Sequence, residues 1–195
     1  LMDDATGEVM RVEDGVMTAT TTEIYNMDGS MTAQGIRLTD ADRESGTYAG
    51  YEGEYVAADI SRKIYVYDAK QSTEIIGHKI AQSDSEKFAD DVVFYSLRNF
   101  AKAYDYYKYR LGRNSYNGSG GAINVYANFG DPEHPNSEWD NASYNNDENV
   151  FKVGSGKNGG FARGIDILAH EYTHGVMYTI VPSRFASVDA KTVNE

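Results

Sequence analysis

The 195-residue sequence contains no cysteine, only three prolines, and 18 basic against 30 acidic side chains. Without cysteine the chain has neither disulfide bonds nor thiolate ligands, so any metal site must use nitrogen and oxygen donors. The formal net charge of -12 argues against nucleic-acid binding, which normally needs a basic face. No apolar run approaches the length of a membrane-spanning helix, so we expect a globular protein with no membrane partner.

The composition is that of an ordinary globular domain, with 41% hydrophobic and 25% charged residues. In the first eighty residues, the alternation at 62–67 and the turn residues at 28–30 and 50–53 predict an antiparallel sheet. The sixteen tyrosines suit half-buried strand faces. Strict alternation over residues 122–129 predicts a further strand.

A long helix is predicted near residues 84–111. The run Ser-Asp-Ser-Glu at residues 83–86 has the pattern of a capping box. Beyond it, apolar positions repeat at alternating spacings of four and three until Gly112, which predicts a helix packed on the sheet. The predicted core positions are Val93, Leu97, Phe100, Tyr104, Tyr107 and Leu111.

The run His-Glu-Tyr-Thr-His at residues 170–174 places two histidines four apart around a glutamate. Residues i and i+4 of an α-helix lie on one face, so both imidazoles can reach one metal ion. Glu171 lies about 100° around the helix from His170, beside the metal, which suits a general base acting on a metal-activated water. The pattern predicts a zinc-dependent hydrolase with His170 and His174 as ligands.

The helix that carries this run is predicted to begin after Gly164 and to end at about Val181, before Pro182. Apolar residues lie on all its sides, which is typical of a buried helix. A ligand shared by the polar residues within it explains how buried ionisable groups are tolerated.

A tight zinc site needs a third protein ligand. A metzincin would have Gly at 177 and His at 180, and the Met and Ile found there exclude that class. Either Asp189 or Glu195 could complete a site of two histidines and one carboxylate. His78 and His134 lack a partner at ligand spacing, and we predict that both are surface residues.

Residues 164–176 resemble the active-site helix of the thermolysin family of secreted bacterial neutral metalloproteases. That family carries its third zinc ligand as the Glu of an Ile-Asn-Glu or Val-Asn-Glu run downstream of the second histidine, and Val-Asn-Glu at 193–195 matches this run. The resemblance implies a zinc ion held by His170, His174 and Glu195, with Glu171 as the general base. The implied function is hydrolysis of internal peptide bonds in peptide or protein substrates.

Three further segments extend the resemblance. Residues 65–70 resemble the family's Tyr-Asp-Ala-Lys strand, and residues 103–108 resemble its long N-terminal-domain helix. The run Asn-Ser-Glu-Trp at 136–139 falls where the family has Asn-Ala-Phe-Trp, an edge strand that holds the substrate. By this resemblance, Asn136 and the backbone of Ser137 bind substrate.

The two ends of the chain define the predicted domains. Residues 1–12 resemble the last hairpin of the family's propeptide, although a generic strand-turn-strand is the alternative. We predict a propeptide tail at 1–16, a β-rich catalytic lobe at 17–163, and the active-site helix with the start of a connection at 164–195. The implied partners are the chain's own propeptide and a helical C-terminal domain, and we expect a secreted monomer that is inactive as this chain alone.

Asp166 lies in the first turn of the predicted active-site helix, where a carboxylate interacts favourably with the helix dipole. By resemblance it also binds calcium, which favours several oxygen ligands. Two other functions stay open, a non-catalytic zinc-stabilised domain and a peptide-binding β-module. The predicted fold class is α+β, an antiparallel β-rich lobe with a long packed helix and a buried zinc-binding helix.

Overall fold

The computed structural model describes residues 35–44, 46, 48–85, 87–134, 137–156 and 160–181. The predicted propeptide tail at 1–16 and the predicted turn at 28–30 lie outside these residues. The strands are β1 Ile36–Arg37, β2 Tyr55–Val56, β3 Ala58–Asp59, β4 Ile64–Asp68, β5 Gln82–Ser83, β6 Ile123–Phe129, β7 Ala142–Asn145 and β8 Val150–Gly154. The helices are α1 Asp40–Glu44, α2 Asp91–Asp105, α3 Gly160–Arg163 and α4 Ile165–Ile180, and a π-helical turn, Tyr106–Arg110, directly follows α2.

The strands form two sheets, and the α+β class is confirmed. A small antiparallel sheet has the order β1-β2-β5, and a five-stranded sheet has the order β3-β4-β6-β8-β7. The larger sheet is mixed, because β4 pairs with β6, and β6 with β8, in parallel. The prediction of an antiparallel lobe is therefore wrong for its central strands. The chain returns from β4 to β6 through α2, and a crossover of this kind brings the second strand back parallel.

The α2 helix begins later than predicted. Its N-cap is Asp90, whose side chain accepts hydrogen bonds from the backbone N–H groups of Val92 (2.8 Å) and Val93 (3.2 Å). Ser83, the predicted cap, instead pairs with Tyr55 in the small sheet, and its hydroxyl accepts a bond from Ser85 N. An aspartate at the N-cap satisfies two of the free N–H groups of the first turn, which fixes the start of the helix there.

The hydrophobic core lies between the larger sheet and helices α2 and α4. Val93, Leu97, Phe100 and Tyr104 of the predicted stripe are buried. Tyr107 is half-buried, and Leu111 is 58% exposed, so its assignment to the core is wrong. The π-helical turn explains the difference, because its wider turn changes the phase of every residue after Asp105.

The α4 helix has the predicted limits, with Gly164 at its N-cap and Val181 at its C-cap. It is not buried on all sides, because Ile165 and Ile180 are 42% and 55% exposed. In the part of the chain that the structure describes, α2, α3 and β7 contact α4 and cover one side of it. Among these described helices, none is both long enough and apolar enough to cross a membrane.

Candidate metal centre

The side chains of His170 and His174 meet on the exposed side of α4. Their Nε2 atoms lie 2.7 Å apart, and the two rings are perpendicular with centroids 4.3 Å apart. His170 is exposed and His174 half-buried, so the pair is open to solvent and to a ligand. The spacing of four residues has brought both imidazoles to one point, as the sequence predicted.

The opposite side of α4 anchors the helix in the core. Leu168 and Tyr172 are fully buried, and Val176 is 4% exposed. These positions form a stripe roughly 180° around the helix from the histidine pair. Gly175 extends the close packing, since a Cβ there would lie 3.2 Å from side-chain atoms of Phe151 and Tyr116. The helix is thus held firmly on one side while it presents both imidazoles on the other.

Glu171 is 8% exposed, in contrast to the neighbouring His170. Its carboxylate Oε2 accepts a hydrogen bond of 2.9 Å from the backbone N–H of Tyr144 in β7. One ligand atom each from His170, Glu171 and His174 lies within 4.8 Å of the others. The carboxylate is therefore next to the imidazole pair and is oriented by a strand.

That strand, β7, is the edge of the larger sheet, where β8 is its neighbour. The N–H of Tyr144 points away from β8, because it donates to Glu171. Backbone groups alternate along a strand, so those of Ala142 point to the same outer side. The outer edge of β7 thus runs beside Glu171, and an extended peptide could pair with it.

Tyr144 of β7 brings an aromatic ring to the contact between this edge and α4. Burial raises the pKa of the Tyr144 phenol well above the usual tyrosine value. The ring of Tyr144 packs near Tyr178 of α4, with centroids 6.0 Å apart. The contact between the edge strand and α4 is therefore aromatic at this point.

The donor set fits zinc. Two imidazole nitrogens, here of His170 and His174, and one carboxylate, predicted to be that of Glu195, form a common type of zinc site without thiolate. A tetrahedral ion with Zn–N bonds of about 2.0–2.1 Å needs its ligand nitrogens about 3.3 Å apart. The His170 and His174 nitrogens, now 2.7 Å apart, would therefore have to separate by about 0.6 Å. Glu195, the predicted third ligand, lies outside the described residues.

Of the two predicted substrate-binding residues, the structure describes Ser137, which lies outside the edge strand β7. Asn136 lies outside the described residues, and Ser137 is exposed in a loop where its N–H donates to the carbonyl of His134. In described residues 137–139, a single bridge joins Glu138 to Gly130, so the predicted edge strand at 136–139 is wrong for that part. The edge strand is β7, whose Ala142 the sequence analysis missed.

A signal for β7 was present in the sequence. Asn-Ala at 141–142 has the first two residues of the Asn-Ala-Phe-Trp pattern without substitution, whereas Asn-Ser at 136–137 has only the first. Two short strands joined by the polar turn at 146–149 are also typical of a hairpin. Only the run at 136–139 ends in the tryptophan of that pattern.

The remaining predicted residues are exposed or partly exposed. Asp166 is exposed in the first turn of α4. His134 is exposed and His78 is half-buried. Each bonds a local partner, the carbonyl of Glu74 for His78 and the carboxylate of Asp131 for His134. The prediction of a surface residue is confirmed for His134, whereas His78 is only partly exposed and its ring lies against Tyr126.

Comparison with known protein families gives one clear match. The model of the thermolysin metallopeptidase catalytic domain matches residues 32–178, which include the histidine pair and β7. Thermolysin from Alicyclobacillus acidocaldarius subsp. acidocaldarius is 35% identical over 144 residues, covering 71% of this chain and 25% of that protein. Bacillolysin from Bacillus caldolyticus is 34% identical over 144 residues with the same coverage. The chain thus spans about a quarter of the length of these relatives.

The fold also resembles that of a solved structure. The precursor of protealysin, a metalloproteinase from Serratia proteamaculans, superposes with a TM-score of 0.51 at 20% identity. The similarity covers 73% of this chain and 42% of that one. At this identity the likeness concerns the fold alone.

Proposed function

Because the chain belongs to the thermolysin metallopeptidase family, we propose that it is the N-terminal catalytic lobe of a zinc-dependent endopeptidase. The observation that carries this proposal is the meeting of the His170 and His174 Nε2 atoms, 2.7 Å apart, beside the Glu171 carboxylate. We assign zinc to His170, His174 and Glu195. Zinc at this site supplies Lewis acidity, which polarises a carbonyl oxygen and acidifies water.

Glu171 acts as the general base in this proposal. Its carboxylate takes a proton from the attacking water and later passes it to the leaving amine nitrogen. The hydrogen bond from Tyr144 N keeps one carboxylate oxygen directed toward the edge strand, where a bound peptide would lie. A substrate that pairs with β7 would therefore bring its scissile bond next to the base.

The outer edge of β7 is our candidate for substrate alignment, with Ala142 supplying backbone groups. Asn136 and Ser137 stay predictions, and Asn141, which directly precedes β7, joins them as a candidate. Alanine substitution at Asn136 and Asn141 separates the two assignments. The residue that aligns the peptide is expected to change KM or kcat on peptide substrates, and the other is not.

The wider setting is also a proposal. We infer that the protein is secreted, that residues 1–16 end a propeptide, and that a helical C-terminal domain completes the active site. Calcium at Asp166 belongs to the same proposal, and its remaining ligands would come from beyond residue 195. On this view, peptidase activity is a property of the intact protein and is absent from residues 1–195 alone.

The decisive experiment uses Glu171→Gln in the intact protein. The amide keeps an acceptor for Tyr144 N–H but cannot take a proton, so we expect cleavage of casein to fall by about 10²–10⁴-fold. Zinc content, measured by atomic spectroscopy, should stay near that of the wild type. Glu133→Gln, which neutralises an exposed carboxylate in the loop after β6, is the matched control and should leave both measurements unchanged.

Three results would contradict the proposal. Full activity in Glu171→Gln would exclude Glu171 as the base. If the wild type binds zinc but cleaves nothing, the protein is a non-catalytic zinc domain. If His174→Ala neither loses zinc nor changes peptide binding, the peptide-binding β-module is the better description.

A further inference from the structure

A hydroxyl group outside α4 contacts the turn that carries the histidine pair. The phenol of Tyr107 lies 2.9 Å from Thr173 Oγ1, and Thr173 is the residue before His174. The Thr173 hydroxyl in turn donates to the carbonyl of Ala169, at 2.7 Å. The single hydroxyl hydrogen of Thr173 is used in that bond, so Tyr107 must be the donor in the first.

These two bonds span the same turn as the two imidazoles. Ala169 precedes His170 and Thr173 precedes His174, so the bonded pair is offset from the histidine pair by one residue. A threonine hydroxyl that bonds the carbonyl four residues earlier bends a helix locally. The bond from Tyr107 holds the Thr173 hydroxyl in place. Through the local bend of the helix, this bond influences the distance between His170 and His174.

The π-helical turn brings Tyr107 to this position. Directly after Asp105 the helix widens, and the Tyr107 ring packs on Tyr172 of α4 with centroids 5.2 Å apart. The neighbouring rings of Tyr106 and Tyr109 are 58% and 64% exposed. Short π-helical turns inside helices are frequent at functional sites, because they redirect one side chain without breaking the helix.

The start of the π-helical turn is held by a partly buried ion-pair network. The Arg62 guanidinium donates two bonds to the carboxylate of Asp105, at 2.8 and 2.9 Å, and a third to Asp59, at 2.7 Å. The side chain of Arg62 is 15% exposed and that of Asp105 is 17% exposed. An arginine that donates two bonds to one carboxylate has a defined geometry. Asp105, the last residue before the π-helical turn, is therefore held in place.

We propose that Tyr107 is a positioning residue for the metal-binding turn, acting through Thr173 to set the separation of the His170 and His174 imidazoles. The inference rests on the proposed zinc endopeptidase function. On this proposal, the π-helical turn helps to position the two histidine ligands in addition to its role in packing. Tyr107 touches neither the metal nor the substrate in this account.

The test compares Tyr107→Phe with Tyr106→Phe in the intact protein. Both variants lose one phenol hydroxyl from adjacent positions, and the Tyr106 ring is largely exposed. We expect Tyr107→Phe to weaken zinc binding about tenfold in a competition with a chelator. Its cobalt-substituted form should have a changed visible absorption spectrum, and kcat should fall more than KM changes. Tyr106→Phe should match the wild type in all these measurements.

Substitutions of Thr173, the other partner in the hydrogen bond, distinguish loss of this bond from general misfolding. Thr173→Val removes the hydroxyl at nearly constant shape and should reproduce the Tyr107→Phe result, whereas Thr173→Ser keeps the hydroxyl and should restore zinc affinity. A lowered melting temperature with unchanged zinc affinity and cobalt spectrum would overturn the inference. A wild type without bound zinc would overturn the proposed function and the inference together.

Discussion

The two long helices, α2 and α4, pack against each other but differ in how they are capped and in where they carry polar residues. The α2 helix has a side-chain cap at Asp90 and a continuous buried stripe that includes Leu97 and Phe100. The α4 helix begins at Gly164 without a side-chain cap and carries three ionisable residues in its middle. A sequence that departs from the pattern of a stable helix at one place marks that place as functional. The contrast separates a helix that stabilises the lobe from one that holds its chemistry.

The largest effect should come from the core side of this comparison. Phe100 is fully buried in α2, and its ring lies 4.7 Å from that of Phe151 in β8. Phe100→Ala removes a whole ring and leaves a cavity, so we expect a loss of about 3–5 kcal/mol in the free energy of unfolding, measured with urea. His170→Ala, on the exposed side of α4, should change the metal-free value by about 0.5 kcal/mol or less. Equal losses of unfolding free energy in the two variants would contradict the distinction between a stabilising helix and a functional one.

Zinc should bring the contribution of α4 to stability closer to that of α2. A ligand that binds the folded state alone adds about 2.7 kcal/mol at a concentration 100 times its dissociation constant. We expect that gain in the wild type, measured as the zinc-dependent shift in the urea midpoint. His174→Ala should lose it, and His78→Ala, which removes a half-buried histidine bonded to a backbone carbonyl, should keep it. An equal gain in His174→Ala would place the metal elsewhere.

The same contrast explains what the sequence could predict. The limits of α4, its histidine pair and the strand at β6 follow from local patterns, because helix and strand periods act over a few residues. Sequence patterns did not predict the π-helical turn or the parallel pairing of β4 with β6, both of which depend on contacts between distant segments. The hydrogen bond between Tyr107 and Thr173 joins residues 66 positions apart. No local pattern contains it.

Removing the side-chain cap of α2, which α4 lacks, should have a smaller effect on stability. Asp90→Ala removes the acceptor for two backbone N–H groups of the first turn, and also the carboxylate that accepts a bond of 2.7 Å from the Asn128 amide. We expect the free energy of unfolding to fall by about 1 kcal/mol, within the range of about 0.5–2 kcal/mol for N-cap substitutions. Ser83→Ala, at the cap predicted from the sequence, should cost less. A larger loss at Ser83 would contradict the helix start at Asp91.

The smallest expected effect concerns Asp166 in the first turn of α4. Without calcium, its carboxylate interacts with the helix dipole alone, so Asp166→Asn should lower the free energy of unfolding by about 0.3–1 kcal/mol at low salt. Salt should reduce this difference, because the side chain is exposed. If Asp166 is also a calcium ligand in the intact protein, adding calcium must widen the gap between wild type and variant, since the ion stabilises the folded state to which it binds. A gap that is the same with calcium and with a chelator would restrict Asp166 to its dipole role, and α4 would then carry one metal site.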